Sequence, residues 1–535
     1  MTEKNIGISE ISVTAPHLRV SAAELSKALG MDGAIMPTEK IEKGLGIKSI
    51  ILPSFAESNV TFVADNLYNF IKRLVADKEK LARFLNEPVK TIYYSSESNP
   101  DRSRPELEVA LELVYSKLID EDEQKYRLVI ETLKKAMLMP TTYACVGGVM
   151  SIDQAVRSLG RGESALVIAA DTAVYDSKLA PNAEATQGAG STLLWITHKP
   201  SIARVHYEGR GAYHLAFSDF TKYLQERPVV YGKFSEIVYV YLVAKALEDS
   251  AMAHTPLSSM NFFVSHVPFP KQALYLASFL FVHELRNSNA VLFAELQGRE
   301  GVGAEPLAGF SSLTELLESK IKGFNRHGAY KEEQEFIKYI ENDEDIKRYW
   351  AWLSGIRKQP EFDNFVEALK IKDALMLPSQ TGNVYSSAAL QSFASLLSEL
   401  AKAESAVLQQ DSAIGHKTSS VQLKGVLAGY GSGAQGVAMP ITINTTKEKL
   451  VKSISISINT TDIDAEQYIA LHKWLIDGSE SERSSSSGDL LEKTKELLRG
   501  GELFDGFYII RRNIDGTGEY VYAQNGVPRK ISIRY

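Results

Sequence analysis

The run Ala165-Leu166-Val167-Ile168-Ala169-Ala170 contains no polar side chain. Alternate residues of a strand point to opposite faces, so a strand made from this run must be covered on both sides. A chain that contains it folds in layers, sheet inside and helices outside, and the surrounding pattern agrees. Residues 5–14 carry β-branched side chains and predict an opening strand; 21–30 and 60–76 have helical spacing. Val89 to Tyr94 predicts a second buried strand, ending in Ser95-Ser96-Glu97-Ser98-Asn99-Pro100. Behind Cys145, Val149, Ile152, Val156 and Leu159 recur at helical spacing. The fold class is α/β.

Past residue 200 the same order returns. Phe262-Phe263-Val264-Ser265 predicts a strand, and His266 follows it as the counterpart of Glu97. Thr381-Gly382-Asn383-Val384-Tyr385 opens a helix with Tyr385, Ala389, Phe393, Leu396 and Leu400 on one face, and Val421 to Ala428 matches the first apolar strand. Glu97 and Cys145 are 48 positions apart, whereas His266 and Asn383 are 117 apart. If the halves are duplicates, the second carries about 69 extra residues. The charged, helical stretch 297–376 supplies them.

The last part differs in kind. Ser453 to Ile458 alternates strictly and predicts a strand with one buried face. Ser484 to Gly488 reads as a serine-rich linker. Phe507 to Arg511 and Glu519 to Tyr522 predict a hairpin around Asp515-Gly516. Aromatic and β-branched residues in an isolated hairpin need another surface, and the body of the same chain is the expected one. The division is therefore 1–200, 201–445 with the excursion at 297–376, and an extension over 446–535.

A net charge of −7 argues against a nucleic-acid binder, whose footprint is basic. One cysteine excludes an intrachain disulfide and any cysteine-based metal site. Ten histidines lack metal-like spacing. No run reaches membrane-span length and Met1 to Asn5 begins no signal peptide, so a cytoplasmic protein is expected, without membrane or nucleic-acid partners. Gly431-Ser432-Gly433-Ala434-Gln435-Gly436 fits G-x-G-x-x-G, but Val437 to Ile443 continues as strand where a dinucleotide site needs a helix. Those glycines instead suit a turn whose amides face a ligand. Cys145 stands at or just before a helix start with two glycines behind it, where unpaired N–H groups and the helix dipole favour a thiolate. Position alone leaves it either a nucleophile or a small buried hydrophobe.

Taken together, Ser96-Glu97-Ser98, Ala144-Cys145-Val146-Gly147-Gly148, Tyr231-Gly232-Lys233-Phe234-Ser235, His266-Val267-Pro268-Phe269-Pro270-Lys271, Gly382-Asn383-Val384-Tyr385-Ser386, Tyr430-Gly431-Ser432-Gly433 and Leu503-Phe504-Asp505-Gly506-Phe507-Tyr508 resemble the hydroxymethylglutaryl-CoA synthase family of the thiolase superfamily, in the family's order. The resemblance implies a duplicated thiolase-like fold (layered α-β-α-β-α) with a helical insertion in the second half and a C-terminal extension. It implies an acyltransferase of the mevalonate route to isoprenoids that joins acetyl-CoA to acetoacetyl-CoA. Cys145 would carry the acetyl group, Glu97 would act as the base and His266 would hold the acceptor ketone. Backbone N–H groups of Cys145 and of the Ser432 turn would form the oxyanion hole. Asn182, Thr186, Ser235, Lys271, Asn383 and Ser432 would contact substrate. No cofactor beyond the two CoA thioesters is implied, and a homodimer is expected.

Three departures stand out: Val146 where the family has an aromatic, Tyr275 in place of a second CoA-facing lysine, and three extra residues between Tyr175 and Asn182. The loss at Tyr275 favours an acyl-carrier-protein acceptor, as in relatives that build polyketide branches. Tyr231 to Ser235 and the C-terminal hairpin favour CoA. A catalytically dead scaffold would not need Glu97, Cys145 and His266 together.

Overall fold

The structure is a computed structural model and describes residues 5–31, 33, 36–101, 103–176, 179–180, 183–222, 227–307, 312–323, 330–403, 420–477, 489–498, 500–512 and 518–531. The Ser484–Gly488 stretch, the Asp515-Gly516 turn and Asn182 lie outside them.

The elements that place the site are, in chain order, β1 (Ile6–Thr14), α1 (Asn59–Ala76), β2 (Val89–Ser95), β3 (Met137–Thr141), α2 (Gly147–Ser158), β4 (Ser164–Ala173), β5 (Gly188–His198), β6 (Ala203–Val205), β7 (Gly211–His214), α3 (Gly232–Asp249), β8 (Phe262–Ser265), α4 (Pro270–Ser288), α5 (Ala388–Lys402), β9 (Ser420–Gly431), β10 (Gln435–Thr446), β11 (Ile454–Ser457), α6 (Ala465–Asp477), β12 (Gly506–Arg512), β13 (Gly518–Gln524) and β14 (Val527–Lys530). The duplication is visible in the strand pairing. In the first half β2 lies parallel to β4, with Ser95 beside Ala169, and β4 runs antiparallel to β5. In the second half β8 lies parallel to β9, with Ser265 beside Ala428, and β9 runs antiparallel to β10. The ladder does not stop between the halves, because β6 pairs with both β1 and β10 to make one 11-stranded sheet, with β11 and β7 paired off its main path.

The apolar run in β4 is divided between two cores. Ala165, Val167 and Ala169 pack with the apolar faces of α2 and α5. Leu166, Ile168 and Ala170 pack on the other side with α1. In β9, Leu427 faces the α2/α5 core while Val426 and Ala428 face α3 and α4. The layers therefore read outer helices, sheet, central helix pair, sheet, outer helices. Gly148 makes the central pair possible: a β-carbon there would collide with Ser386 O. The 297–376 excursion forms helices, among them Glu344–Ile356 and Pro360–Ala368, whose apolar faces join the α3/α4 core. Among the described residues, no helix is long and apolar enough to cross a membrane.

The extension differs from expectation in two places. β11 pairs parallel with β1, but all four of its residues are half-buried, rather than one face being buried. It pairs alongside β1 at the margin of the core, where its isoleucines meet only the edge of the α2/α5 cluster. The hairpin gains a third strand, β14, hidden in the sequence by Pro528 and two basic residues.

Both faces of the hairpin are covered by its own chain. Phe507, Ile509, Tyr520 and Tyr522 pack with α1, and Tyr508, Ile510, Val521 and Ala523 pack with Leu490 and Leu491. Phe507 N donates to the Asp65 carboxylate at 3.0 Å. Burial pushes the Asp65 carboxyl up to about 8, against the lowering pull of His17 and the Phe507 N–H, with Glu57 raising it further. A folded value above the unfolded one stabilises the protein at low pH, and this contribution is lost as pH rises through about 8. Asp65→Asn keeps the acceptor and removes the titration. Its melting temperature is expected to gain on the wild type between pH 7 and pH 9, as thermal denaturation at the two pH values would show.

Candidate active site

β3 leads into a tight turn in which Ala144 adopts φ 38°. A left-handed conformation costs a residue with a β-carbon about 1–2 kcal/mol. The turn that opens α5 holds Tyr385 at φ 43°, so both central helices begin from a strained turn. Cys145 follows Ala144, is 6% exposed, and packs in a small cluster with Ala173, Tyr175, Ala180 and Tyr385.

Glu97 reaches this pocket from the end of β2. Asp171, at the matching level of neighbouring β4, fixes its loop. One Asp171 oxygen accepts from Glu97 N (2.8 Å), Ser98 N (2.9 Å), Ser96 Oγ (2.9 Å) and Ser98 Oγ (2.6 Å). The other accepts from Ser386 N (3.0 Å) and Ser386 Oγ. A single carboxylate thus ties the Glu97 loop to the start of α5, across the two halves. Held in this way, Glu97 Oε2 lies 3.8 Å from Cys145 Sγ. Lys222 Nζ donates to the Glu97 backbone oxygen at 2.9 Å and lies 3.7 Å from Oε1.

Burial pushes the Glu97 carboxyl up to about 7, Lys222 pulls it down and Asp171 pushes it up. The Cys145 thiol is held well above its ordinary value by burial, then by the carboxylates of Glu97 and Asp171. This corrects the expectation of a thiolate: desolvation and two nearby negative charges outweigh the helix start, so the resting group is a thiol.

His266 follows β8, and its N–H donates to Ala428 O at 2.9 Å. Its ring packs against Tyr239 and Tyr430, while both ring nitrogens are buried without a partner among the described residues. Burial lowers it to about 3, so the ring is a neutral imidazole with an N–H that a ligand oxygen could accept from. Tyr430 OH donates to Asp219 Oδ2 at 2.6 Å, Ser235 Oγ to the same oxygen at 2.9 Å, and Gly433 N to Oδ1 at 3.0 Å. Asp219 therefore gathers the His266 wall, the Ser432 turn and the start of α3, three residues before Lys222. The Gly433 N–H is committed to it. Val146 fills the space beneath Gly429 and Gly431, where a larger aromatic would meet β9 backbone.

Thr186 O accepts from Asn383 N at 2.9 Å, and Asn383 Oδ1 accepts from Tyr385 N at 3.0 Å. Thr186 Oγ1 donates to Ala183 O at 2.7 Å. Among the described residues Lys271, in the first turn of α4, is hydrogen-bonded to none of these groups. Behind Tyr175, α6 inserts two side chains: Tyr468 OH donates to Glu184 at 2.6 Å, and His472 Nε2 lies 2.9 Å from Gln187 Oε1, which also accepts from Tyr175 N at 2.8 Å. A cavity of about 800 Å³ opens beside Glu97 and Lys222, walled by Tyr94, Tyr385 and Trp474. Among the described residues, no group of three or more His, Cys, Asp or Glu side chains could hold a metal ion.

Sequence reading missed Asp171, Asp219 and Lys222. Asp171 had a signal, since it ends an apolar strand run just as Glu97 does; the other two had none.

No protein-family model matches the chain. A curated hydroxymethylglutaryl-CoA synthase of Haloferax volcanii is 28% identical over 356 residues, which are 65% of this chain and 67% of that protein. The solved structure of MvaS in complex with 3-hydroxy-3-methylglutaryl coenzyme A superposes with a TM-score of 0.61 at 17% identity, covering 98% of this chain and all of that one (100%). The curacin biosynthetic pathway HMG synthase, solved with an acetyl donor-ACP, gives a TM-score of 0.60 at 13% identity, covering 97% of this chain and 100% of that one. With the duplicated fold and the motifs in order, these comparisons show that the chain has the thiolase-like fold of the solved synthases and is similar in sequence to a curated hydroxymethylglutaryl-CoA synthase over 65% of its length.

Proposed function

We propose that the protein condenses acetyl-CoA with acetoacetyl-CoA to give 3-hydroxy-3-methylglutaryl-CoA through an acetyl-Cys145 intermediate, in the cytoplasm and within the mevalonate route. The observation that carries this reading is the buried Glu97 carboxyl, with Oε2 at 3.8 Å from the only thiol of the chain. Cys145 sulfur attacks the acetyl thioester, its proton leaves by way of Glu97, and free CoA departs with that proton. Ionised again, Glu97 takes a proton from the acetyl methyl group. The enolate carbon forms a bond to the acceptor ketone, whose oxygen His266 holds through a neutral N–H. The alkoxide takes a proton, balancing the one removed from the methyl group. Water then cleaves the thioester, releasing the product as its acid and restoring the thiol. No resident cofactor enters these steps. Asn182, Thr186, Ser235, Lys271, Asn383 and Ser432 are assigned to substrate contact.

For the acceptor's carrier we favour CoA. The position lacking a lysine, Tyr275, is covered by Arg357 from the excursion, whose guanidinium lies 4.6 Å from the ring centre, so a cation is still present beside α4. A homodimer is supported by β3, an edge strand whose Met137 and Met139 are 54% and 39% exposed. Incubation with radiolabelled acetyl-CoA followed by peptide mapping is expected to place label on Cys145, and acetoacetyl-CoA should then discharge it as hydroxymethylglutaryl-CoA. Discharge only by an acetoacetyl group on acyl carrier protein would move the protein to the polyketide class, and absence of label would overturn the reading.

A further inference from the structure

Lys222 belongs to none of the motifs that identify the family, yet its amine enters the site. Glu97 Oε1 is buried and has no hydrogen-bond partner among the described residues. An ionised carboxylate oxygen in that position is costly unless a cation stands close by. The Lys222 ammonium is 3.7 Å away, with side-chain exposures of 22% for the lysine and 6% for the glutamate. Its position is fixed from three sides: the Glu97 backbone oxygen at 2.9 Å, the Tyr385 ring at 4.8 Å and the Phe220 ring at 5.7 Å.

The other groups facing Glu97 do not supply a positive charge. Asp171 is an anion, Cys145 is a thiol, and Tyr175 and Tyr385 are phenols in a buried wall. Two arginines line the same cavity, but Arg104 pairs with Asp101 at 3.1 Å and Arg227 donates to Leu475 O. Among the described residues, Lys222 is the cation that acts on Glu97.

We propose that Lys222 is a positioning residue for the Glu97 base: its ammonium keeps the carboxylate ionised and aimed at the methyl group of acetylated Cys145. This rests on the condensing role proposed for Glu97. No bond to Lys222 forms or breaks; the methyl proton still passes to Glu97. Without the lysine, and with the Cys145 thiol capped by the acetyl group so that its hydrogen bond no longer lowers the carboxyl, burial and Asp171 act unopposed. An opposite charge at this range is ordinarily worth about one to three pH units. The base would then be mostly protonated at pH 7, making condensation at least about fivefold slower there.

The test uses the full-length protein with acetyl-Cys145 formed in advance from acetyl-CoA, then mixed with acetoacetyl-CoA from pH 6 to pH 10. For wild type the rate should rise through about pH 7. For Lys222→Met the rise should move up by at least about one unit, with the rate near pH 10 recovering toward wild type, and Lys222→Arg should restore the original profile. A merely structural role would lower the rate at every pH. Such a uniform loss, or an unmoved profile, overturns the proposal while leaving the role of Cys145 intact. Failure of the wild type to acquire acetyl on Cys145 overturns the underlying reading and the proposal with it.

Discussion

Cys145→Ala is expected to take up no acetyl group from acetyl-CoA and to lose condensation by roughly 10⁴-fold or more, the scale seen when a covalent nucleophile is removed. It is the only cysteine, so no neighbouring thiol can take over. The change removes one sulfur from a small cluster and should cost about 1 kcal/mol of stability at most, so lost activity will not reflect lost folding. Intact mass after incubation with acetyl-CoA, together with CoA release, reads the result directly. Stoichiometric acetylation of the alanine variant would remove Cys145 from the mechanism.

Glu97→Gln should separate the two half-reactions. The substitution removes the group that takes the methyl proton, and condensation should fall at least about a hundredfold. Acetylation should persist, because the same carboxylate is one of the charges that hold the Cys145 thiol up. Removing it lowers the thiol toward its ordinary range and so offsets the lost proton acceptor. In the wild type, condensation should climb with pH through about 7, as the carboxyl ionises, and the glutamine variant should lose that climb. Single-turnover reaction of preformed acetyl-enzyme with acetoacetyl-CoA, followed across pH, measures both effects. Slow acetylation combined with normal condensation would reverse the assignment.

What the sequence made legible depended on periodicity and on strand ends. The uninterrupted run in β4 was readable because full burial leaves no polar position, whereas in β9 only the second half of the strand is buried throughout, with Gln422 and Lys424 exposed before it. Glu97 and His266 stood out for a related reason, each being polar immediately past an apolar strand. Residues that act by collecting others were hidden. Asp171 gains its role from donors as distant in sequence as Ser96 and Ser386, a convergence that only the paired sheet halves create. Asp219 and Lys222 lie in a stretch with neither helical nor strand alternation. The protonation state of Cys145 was misread because the local signal, a helix start, is visible in sequence, whereas burial beside two carboxylates is a property of the assembled fold.

The insertion of α6 behind Tyr175 has a consequence for how the enzyme matures. Cys145 and Glu97 leave the ribosome first, and Tyr468 and His472, which brace the wall of their pocket, follow Cys145 by 323 and 327 residues. At synthesis rates of about 5–20 residues per second, Cys145 emerges roughly a minute or less before those braces. During that interval the nascent N-terminal half has its nucleophile but lacks a finished pocket. Competence is thus gained only once residue 472 has emerged, and a chain terminated before that point yields a thiol without a catalyst.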